Sequence, residues 1–184
     1  MSKATVTVHN LQFESFITAN QIQGRIQEMG AALTKKYQGC NPLFLAILNG
    51  SFIFAADLVR ACPMQCEVSF VKIASYQGLQ SVGKTKTLIG LEKSITGRPV
   101  LIVEDIVDSG RTLSELLPEL EAQSPSSLEI VTLFYKPEAL AYPLDLPYVG
   151  FSIPDKFILG YGLDYDGLGR NLPDVYQLCT EKEK

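Results

Sequence analysis

The sequence predicts an α/β fold, with a central, mainly parallel sheet flanked by helices. Two observations carry this expectation. Leu43–Leu48 and the segment 99–103 are continuous apolar runs, the composition of strands buried on both faces. Each passes through a short turn of small and polar residues into a stretch with apolar residues at helical spacing. That strand–helix alternation is the mark of a parallel sheet with crossover helices. With 184 residues, 46% apolar and 20% charged, the chain is long enough for one domain, 1–184, with a complete core.

Taken in order, Thr5–Val8 alternates and reads as a short strand. Thr18 is placed to cap a helix that runs to about Tyr37, with Ile22, Ile26, Met29 and Leu33 on one face. The stretch 39–42, Gly-Cys-Asn-Pro, stops it. Leu43–Leu48 is the first buried strand, and Asn49-Gly50-Ser51 turns it into a second helix ending near Arg60. Glu67–Ser75 and 87–91 alternate and read as a hairpin-like pair, separated by a polar, glycine-bearing loop over 76–83. A strand over 99–103 then leads through carboxylates to a helix with Leu113, Leu116, Leu117 and Leu120 on one stripe. Pro118 removes a backbone donor inside that helix and is expected to kink or shorten it. Ser127–Tyr135 and 148–153 are the last strands, and the tail from Lys156, rich in Gly, Asp and Tyr, is expected to be irregular. Ligands of such folds sit at the carboxyl ends of the strands, where the informative turns fall.

Composition narrows the function. A net charge of −4 lacks the basic footprint of a nucleic-acid binder. No apolar run approaches a membrane span, and the N-terminus has no apolar core of a signal peptide. The expectation is a cytoplasmic protein with no membrane or nucleic-acid partner. Cys40, Cys62, Cys66 and Cys179 lack the paired Cys-x2-Cys spacing of a zinc site and read as reduced thiols. The one histidine, His9, reads as a strand or surface residue, and a Ser-His or Cys-His hydrolase would have to depend on it alone.

The chemistry concentrates in 100–113: Val-Leu-Ile-Val-Glu104-Asp105-Ile-Val-Asp108-Ser109-Gly110-Arg111-Thr112-Leu113. With a helix starting near Arg111, the amides of about Ser109 to Thr112 have no partner inside the helix. Together with the helix dipole they favour an anion. Ser109 and Thr112 add hydroxyls, and Gly110 lets the backbone approach closely. These features make a seat for a phosphate monoester, built on neither G-x-x-x-x-G-K-[ST] nor G-x-G-x-x-G. Glu104 and Asp105 can accept hydrogen bonds from sugar hydroxyls and attract Mg²⁺. Asp108 can take a proton or stabilise developing positive charge. One acid alone would read as a helix cap. Three acids followed by Ser-Gly-Arg-Thr point to a ligand that carries both a phosphate and a sugar with free hydroxyls.

This stretch resembles the phosphoribosyl pyrophosphate signature of type I phosphoribosyltransferases, in their hypoxanthine(-guanine) branch. The similarity runs from about Leu43 to Leu172 through separated motifs in order. Leu48-Asn49-Gly50-Ser51 matches the pyrophosphate loop, and Ser75-Tyr76 the flexible lid. Lys136-Pro137 matches the purine-reading lysine. The stretch 150–165, Gly-Phe-Ser-Ile-Pro-Asp-Lys-Phe157-Ile158-Leu-Gly-Tyr-Gly-Leu-Asp164-Tyr, matches the purine pocket, and Arg170 a pyrophosphate contact. The resemblance implies the type I phosphoribosyltransferase fold, with a small hood formed by the N- and C-terminal segments. It also implies a reaction in which hypoxanthine or guanine attacks the anomeric carbon of 5-phosphoribosyl 1-pyrophosphate, giving a nucleoside monophosphate and pyrophosphate.

Roles for individual residues follow from the same resemblance. Asp108 is the general acid/base near purine N7. Glu104 and Asp105 hold the ribose hydroxyls, directly or through Mg²⁺. Ser109, Gly110, Arg111 and Thr112 bind the 5-phosphate. Lys136 points its ammonium at the exocyclic oxygen of a 6-oxopurine, an acceptor that adenine lacks. Phe157 stacks on the purine, Ile158 offers backbone contacts to its edge, and Asp164, at the purine pocket, ligates a pyrophosphate-bound Mg²⁺. Arg170 meets the pyrophosphate, as do the Asn49 and Gly50 amides, turned toward it by a cis Leu48–Asn49 peptide. Position 49 is commonly Lys or Arg in the family; Asn49 departs from that pattern and brings no positive charge. Ser75 and Tyr76 belong to a lid that keeps water from an oxocarbenium-like centre. The implied cofactor is Mg²⁺. The implied partners are a 6-oxopurine, 5-phosphoribosyl 1-pyrophosphate and further copies of the chain, as a homodimer or homotetramer. Two other readings share the motif: a transferase preferring xanthine, and a phosphoribosyltransferase-fold regulator. The acidic balance and the retained Asp108 and Lys136 speak against the regulator.

Overall fold

Residues 4–75, 85–89, 91 and 93–179 are described by the computed structural model. The elements begin with β1 (Thr5–Val8), β2 (Leu11–Ile17), α1 (Ala19–Tyr37), β3 (Leu43–Leu48), α2 (Phe52–Arg60), β4 (Glu67–Ser75) and β5 (Thr85–Ile89). They continue with β6 (Pro99–Val107), α3 (Arg111–Glu121), β7 (Ser127–Tyr135), β8 (Tyr148–Ser152), β9 (Ile158–Leu159) and β10 (Val175–Leu178). Helix α1 starts at a capping box: Thr18 accepts from the Gln21 amide while the Gln21 side chain accepts from the Thr18 amide at 2.9 Å. Its buried residues, Ile22, Ile26, Met29, Gly30, Leu33 and Tyr37, recur at helical spacing. Gly30 is where α2 ends against it, since a Cβ there would lie 2.4 Å from the Ala61 carbonyl oxygen.

The larger sheet has the order β5-β4-β3-β6-β7-β8. From β4 to β8 neighbouring strands are parallel, and β5 is an antiparallel edge on β4. Helices α1 and α2 cover one face, over Phe44, Ala46, Leu101 and Val103. Helix α3 covers the other, over Leu43, Leu45, Val100 and Ile102. Alternate residues of β3 and β6 therefore enter opposite cores, which is why both strands are apolar throughout. From β3 the chain moves outward to β4, and from β6 it moves the other way to β7. The carboxyl ends of β3 and β6 thus diverge at a topological switch point, the place where such sheets open a crevice.

A second sheet, β1-β2-β10-β9, is antiparallel and joins the two ends of the chain around Val8, Phe13, Leu159 and Tyr176. It forms the expected hood. The tail from Lys156 is consequently not wholly irregular: β9 and β10 are too short to show a period, β9 pairs with β10, and β10 pairs in turn with β2 at the other end of the chain. His9 sits with positive φ in the β1–β2 turn.

Two further expectations change. Pro118 does not cut α3 short; three more helical residues follow it, held by burial of Leu116 and Leu120. Strand β6 does not stop at Val103, because its ladder with β7 continues through Ile106↔Phe134 and Val107↔Tyr135. Glu104 and Asp105 are therefore strand residues. Leu48–Asn49 is a cis peptide.

Candidate active site

The crevice at the switch point is a cleft of about 320 Å³. Gly50 enters it from the β3–α2 turn, and Asp105 and Asp108 from the end of β6 and the turn beyond. Lys136 follows β7, Phe157 and Ile158 stand at β9, and Asp164 and Arg170 come from the β9–β10 connection. A smaller cavity of about 80 Å³ adjoins it through the shared Ile106 and Asp108. Its lining includes Glu104, Ser109, Gly110, Arg111 and Thr112. Asn49 lines neither cavity; Gly50 carries that turn into the cleft.

Local geometry explains the smaller cavity. Gly110 is the N-cap of α3 at φ +81°, a left-handed conformation that favours glycine, and no side chain caps the helix. A Cβ at Gly110 would lie 2.9 Å from the Tyr142 carbonyl oxygen. The Ala141 and Tyr142 amides both donate to the Ser109 carbonyl at 3.0 Å, so the segment after β7 clamps the turn from below. The Arg111 amide donates to Ser109 Oγ at 3.4 Å, while its guanidinium donates to Glu115 one turn on at 2.9 Å. Arg111 thus spends its charge along the helix.

The acids fall into two settings. Glu104 Oε2 is enclosed and, among the described residues, has no hydrogen-bond partner. Burial, and then the neighbouring Asp105, hold the Glu104 carboxyl well above its usual range. Asp105 is buried as well; Oδ1 accepts from the Ile106 amide at 3.0 Å, yet burial pushes its pKa up to about 6. Asp108 instead faces a cation. The buried Lys136 places Nζ 3.2 Å from Asp108 Oδ2 and 3.1 Å from Asp155 Oδ1. Asp108 is therefore not a helix cap.

Glycines let backbone stack on these acids. A Cβ at Gly50 would lie 1.6 Å from Asp105 Oδ2, and one at Gly162, at φ +100°, would lie 2.3 Å from the Gly50 carbonyl oxygen. Arg170 locks the outer layer: Nη1 donates to the Gly162 carbonyl and Nη2 pairs with Asp164 Oδ1, each at 2.6 Å. Asp164 Oδ2 accepts from the Gly167 amide at 2.8 Å, so this acid also holds a turn. Phe157 is 44% exposed, unusually open for a large aromatic, with its ring 5.6 Å from Tyr165 and 6.1 Å from Phe13. Ile158 is buried beside it. Ser75 ends β4, and Tyr76 lies outside the described residues.

Among the described residues no group of three or more His, Cys, Asp or Glu is placed to hold a metal. Mg²⁺ needs no such group, since it is commonly held by one or two carboxylates together with substrate oxygens. The enclosed, unpartnered Glu104 oxygen beside Asp105 fits that donor set.

Sequence reasoning missed Asp155, whose link to Lys136 spans 19 positions, and the 140–144 clamp beneath Gly110. It also missed Tyr161, whose hydroxyl donates to Asp57 Oδ2 of α2 at 2.5 Å. Asp155 and Tyr161 lie within the purine-pocket motif, but no local pattern identifies their partners.

Comparison with known proteins identifies the family. Residues 17–166 match the phosphoribosyl transferase domain. The chain is 43% identical over 175 residues to the hypoxanthine-guanine phosphoribosyltransferase of Mycobacterium avium, covering 88% of this chain and 86% of that one. It is 41% identical over 169 residues to the hypoxanthine phosphoribosyltransferase of Buchnera aphidicola, covering 90% and 96%. A crystal structure of a hypoxanthine phosphoribosyltransferase from Staphylococcus aureus aligns with a TM-score of 0.86 at 40% identity, covering 93% of this chain and 94% of that one. The chain belongs to the phosphoribosyltransferase family.

Proposed function

We propose that this protein is a hypoxanthine(-guanine) phosphoribosyltransferase of purine salvage. The observation that carries this reading is that Asp108 and Lys136 face one cleft, continuous with a turn of amides and hydroxyls the size of a phosphate. The 5-phosphate sits on the Ser109–Thr112 turn, where helix-start amides without partners inside the helix and the dipole favour it. Glu104 and Asp105 hold the ribose hydroxyls or a Mg²⁺. The metal, when bound, would neutralise charge on the departing pyrophosphate. Asp164 retains lone pairs beyond its bonds to Arg170 and Gly167 and is a further ligand in this reading. Arg170 and the Asn49–Gly50 backbone meet the pyrophosphate; with Asn49 in place of a cation, Arg170 carries the positive charge there.

The purine stacks on the exposed face of Phe157, with its edge against the Ile158 backbone. Lys136 donates to the 6-oxygen, and Asp108 takes the proton that N7 loses as the glycosidic bond forms. Ser75 and Tyr76 close over the centre. The test is to incubate the protein with 5-phosphoribosyl 1-pyrophosphate, Mg²⁺ and each purine separately, and to measure nucleotide formed. IMP and GMP are expected. Product from adenine alone, or none from any purine, sinks the reading, and XMP as the main product would favour the xanthine alternative.

A homo-oligomer, dimer or tetramer, and a cytoplasmic location complete the proposal. Val68 and Phe70 of β4 pair with Phe44 and Ala46 on the α1–α2 side of the sheet, yet both stay more than 40% exposed. Such an apolar pair suits a second copy of the chain. Phe70→Asp should lower the sedimenting mass of the assembly, and an unchanged mass would move the interface elsewhere. The four cysteines are free, which suits a reducing compartment. No helix among the described residues is long and apolar enough to cross a membrane.

A further inference from the structure

The Lys136 ammonium is committed to two carboxylates that come from different elements. Asp108 reaches it from the β6–α3 turn and Asp155 from the β8–β9 turn, at 3.2 and 3.1 Å. The lysine side chain is almost fully enclosed, whereas both acids are more than half exposed. Each acid could therefore face water, and the lysine could not. An ammonium so enclosed needs a counter-charge, because leaving it alone costs more than the pair gains.

The proposed chemistry removes one of those counter-charges. When Asp108 takes the N7 proton it becomes neutral, and its pull on Lys136 is lost at the moment the purine oxygen needs a donor. We infer that Asp155 is a positioning residue, holding the charged Lys136 ammonium at the purine seat while Asp108 handles the proton. This rests on the function proposed above. Asp155 also shares the ammonium while Asp108 is ionised. A lysine with Asp108 as its sole partner would bind that acid more closely and commit the lone pairs the proton must find. An ammonium has three donors. Two go to the acids, and the third remains for the 6-oxygen.

The turn around Asp155 offers a way to separate this role from a structural one. The backbone bond there runs from the Lys156 amide to the Pro154 carbonyl and does not use the Asp155 side chain. Asparagine is also well tolerated in turns. Asp155→Asn should thus keep the fold while removing the charge. In steady-state assays with hypoxanthine, we expect the purine KM to rise and kcat to fall, each on the order of tenfold, the scale of one lost hydrogen bond to a charged group. The KM for 5-phosphoribosyl 1-pyrophosphate should stay within twofold. Preference for hypoxanthine over adenine should fall, and Asp155→Glu should recover much of it.

Wild-type protein runs alongside. An active wild type with an Asp155→Asn variant of unchanged purine KM overturns the inference alone. So does a loss spread equally over both substrates, or no recovery by Asp155→Glu. If wild type forms no nucleotide from any purine, the functional reading fails first and takes the inference with it.

Discussion

The two ends of the cleft carry buried charge in opposite ways. At the proposed ribose end, Glu104 and Asp105 are enclosed and, among the described residues, have no cation in hydrogen-bond contact; burial raises both carboxyls above their usual range. At the proposed purine end, Lys136 is enclosed to a similar degree but lies within 3.2 Å of two carboxylates. The first arrangement is electrostatically incomplete in the free protein, and the second is already balanced. An unpaired buried acid lowers its cost by holding a proton, whereas a buried lysine beside two carboxylates has its counter-charge in place. The ribose end is thus shaped for something cationic or hydrogen-bond-donating, and the purine end to offer a donor of its own.

The sharpest way to break this comparison is at Asp108, which borders both cavities. Asp108→Asn should cut kcat by about 10²–10⁴-fold, the usual scale of general acid–base catalysis, with smaller changes in KM. Full activity would remove the role.

Asp105→Asn tests the incomplete end, and there stability and activity should move apart. In the folded protein Asp105 has a pKa of about 6, above the ordinary carboxyl value of 3.8. The folded state therefore binds this proton more tightly. The stability it contributes is complete below about pH 4 and is lost as pH rises through about 6. Above that range the ionised acid is a burden, so Asp105→Asn should stabilise the free protein at pH 8 by up to ~3 kcal/mol in urea titrations, while lowering activity. A destabilised variant would mean the acid has a cation already. Mg²⁺ needs the ionised form, so the rise in Tm on adding Mg²⁺ with 5-phosphoribosyl 1-pyrophosphate should grow as pH passes from 5 to about 7 in wild type, and flatten in Asp105→Asn.

At the balanced end, Lys136→Ala should reduce the preference for hypoxanthine over adenine by about 10–100-fold, the scale of a hydrogen bond from a charged donor. Equal loss with both bases would assign the lysine to stability instead. The smallest effect is expected behind the glycine stack. Tyr161 is buried, and its hydroxyl donates to Asp57, so burial and that acid hold the phenol above its usual range. Tyr161→Phe should cost ~1–3 kcal/mol by leaving Asp57 one donor short, although Gln23 and Arg60 still reach that acid. A neutral substitution would show that these two donors suffice.

Legibility in the sequence followed the range of the interactions. The 108–112 turn could be read directly because its acid, glycine, hydroxyls and helix start are consecutive. The helix at Thr18 was equally legible, because a cap and a buried stripe are local patterns. Motif likeness reached the purine end, naming Lys136, Phe157 and Ile158, but it did not reveal that Asp155 shares the lysine with Asp108. Nor did it reveal that Arg111 turns to Glu115 rather than toward the cavity it borders.

Patterns a few residues long determined β1, β3, β4, β7, β8, the first two helices and the turn at 108–112, because these depend on backbone propensity, periodicity and end-capping. Tertiary structure alone decided that β6 runs through Glu104 and Asp105, that the tail pairs with β2, and which partner each buried charge has. The physical reason is that ladder extension and desolvation depend on what packs alongside, and those neighbours come from distant parts of the chain.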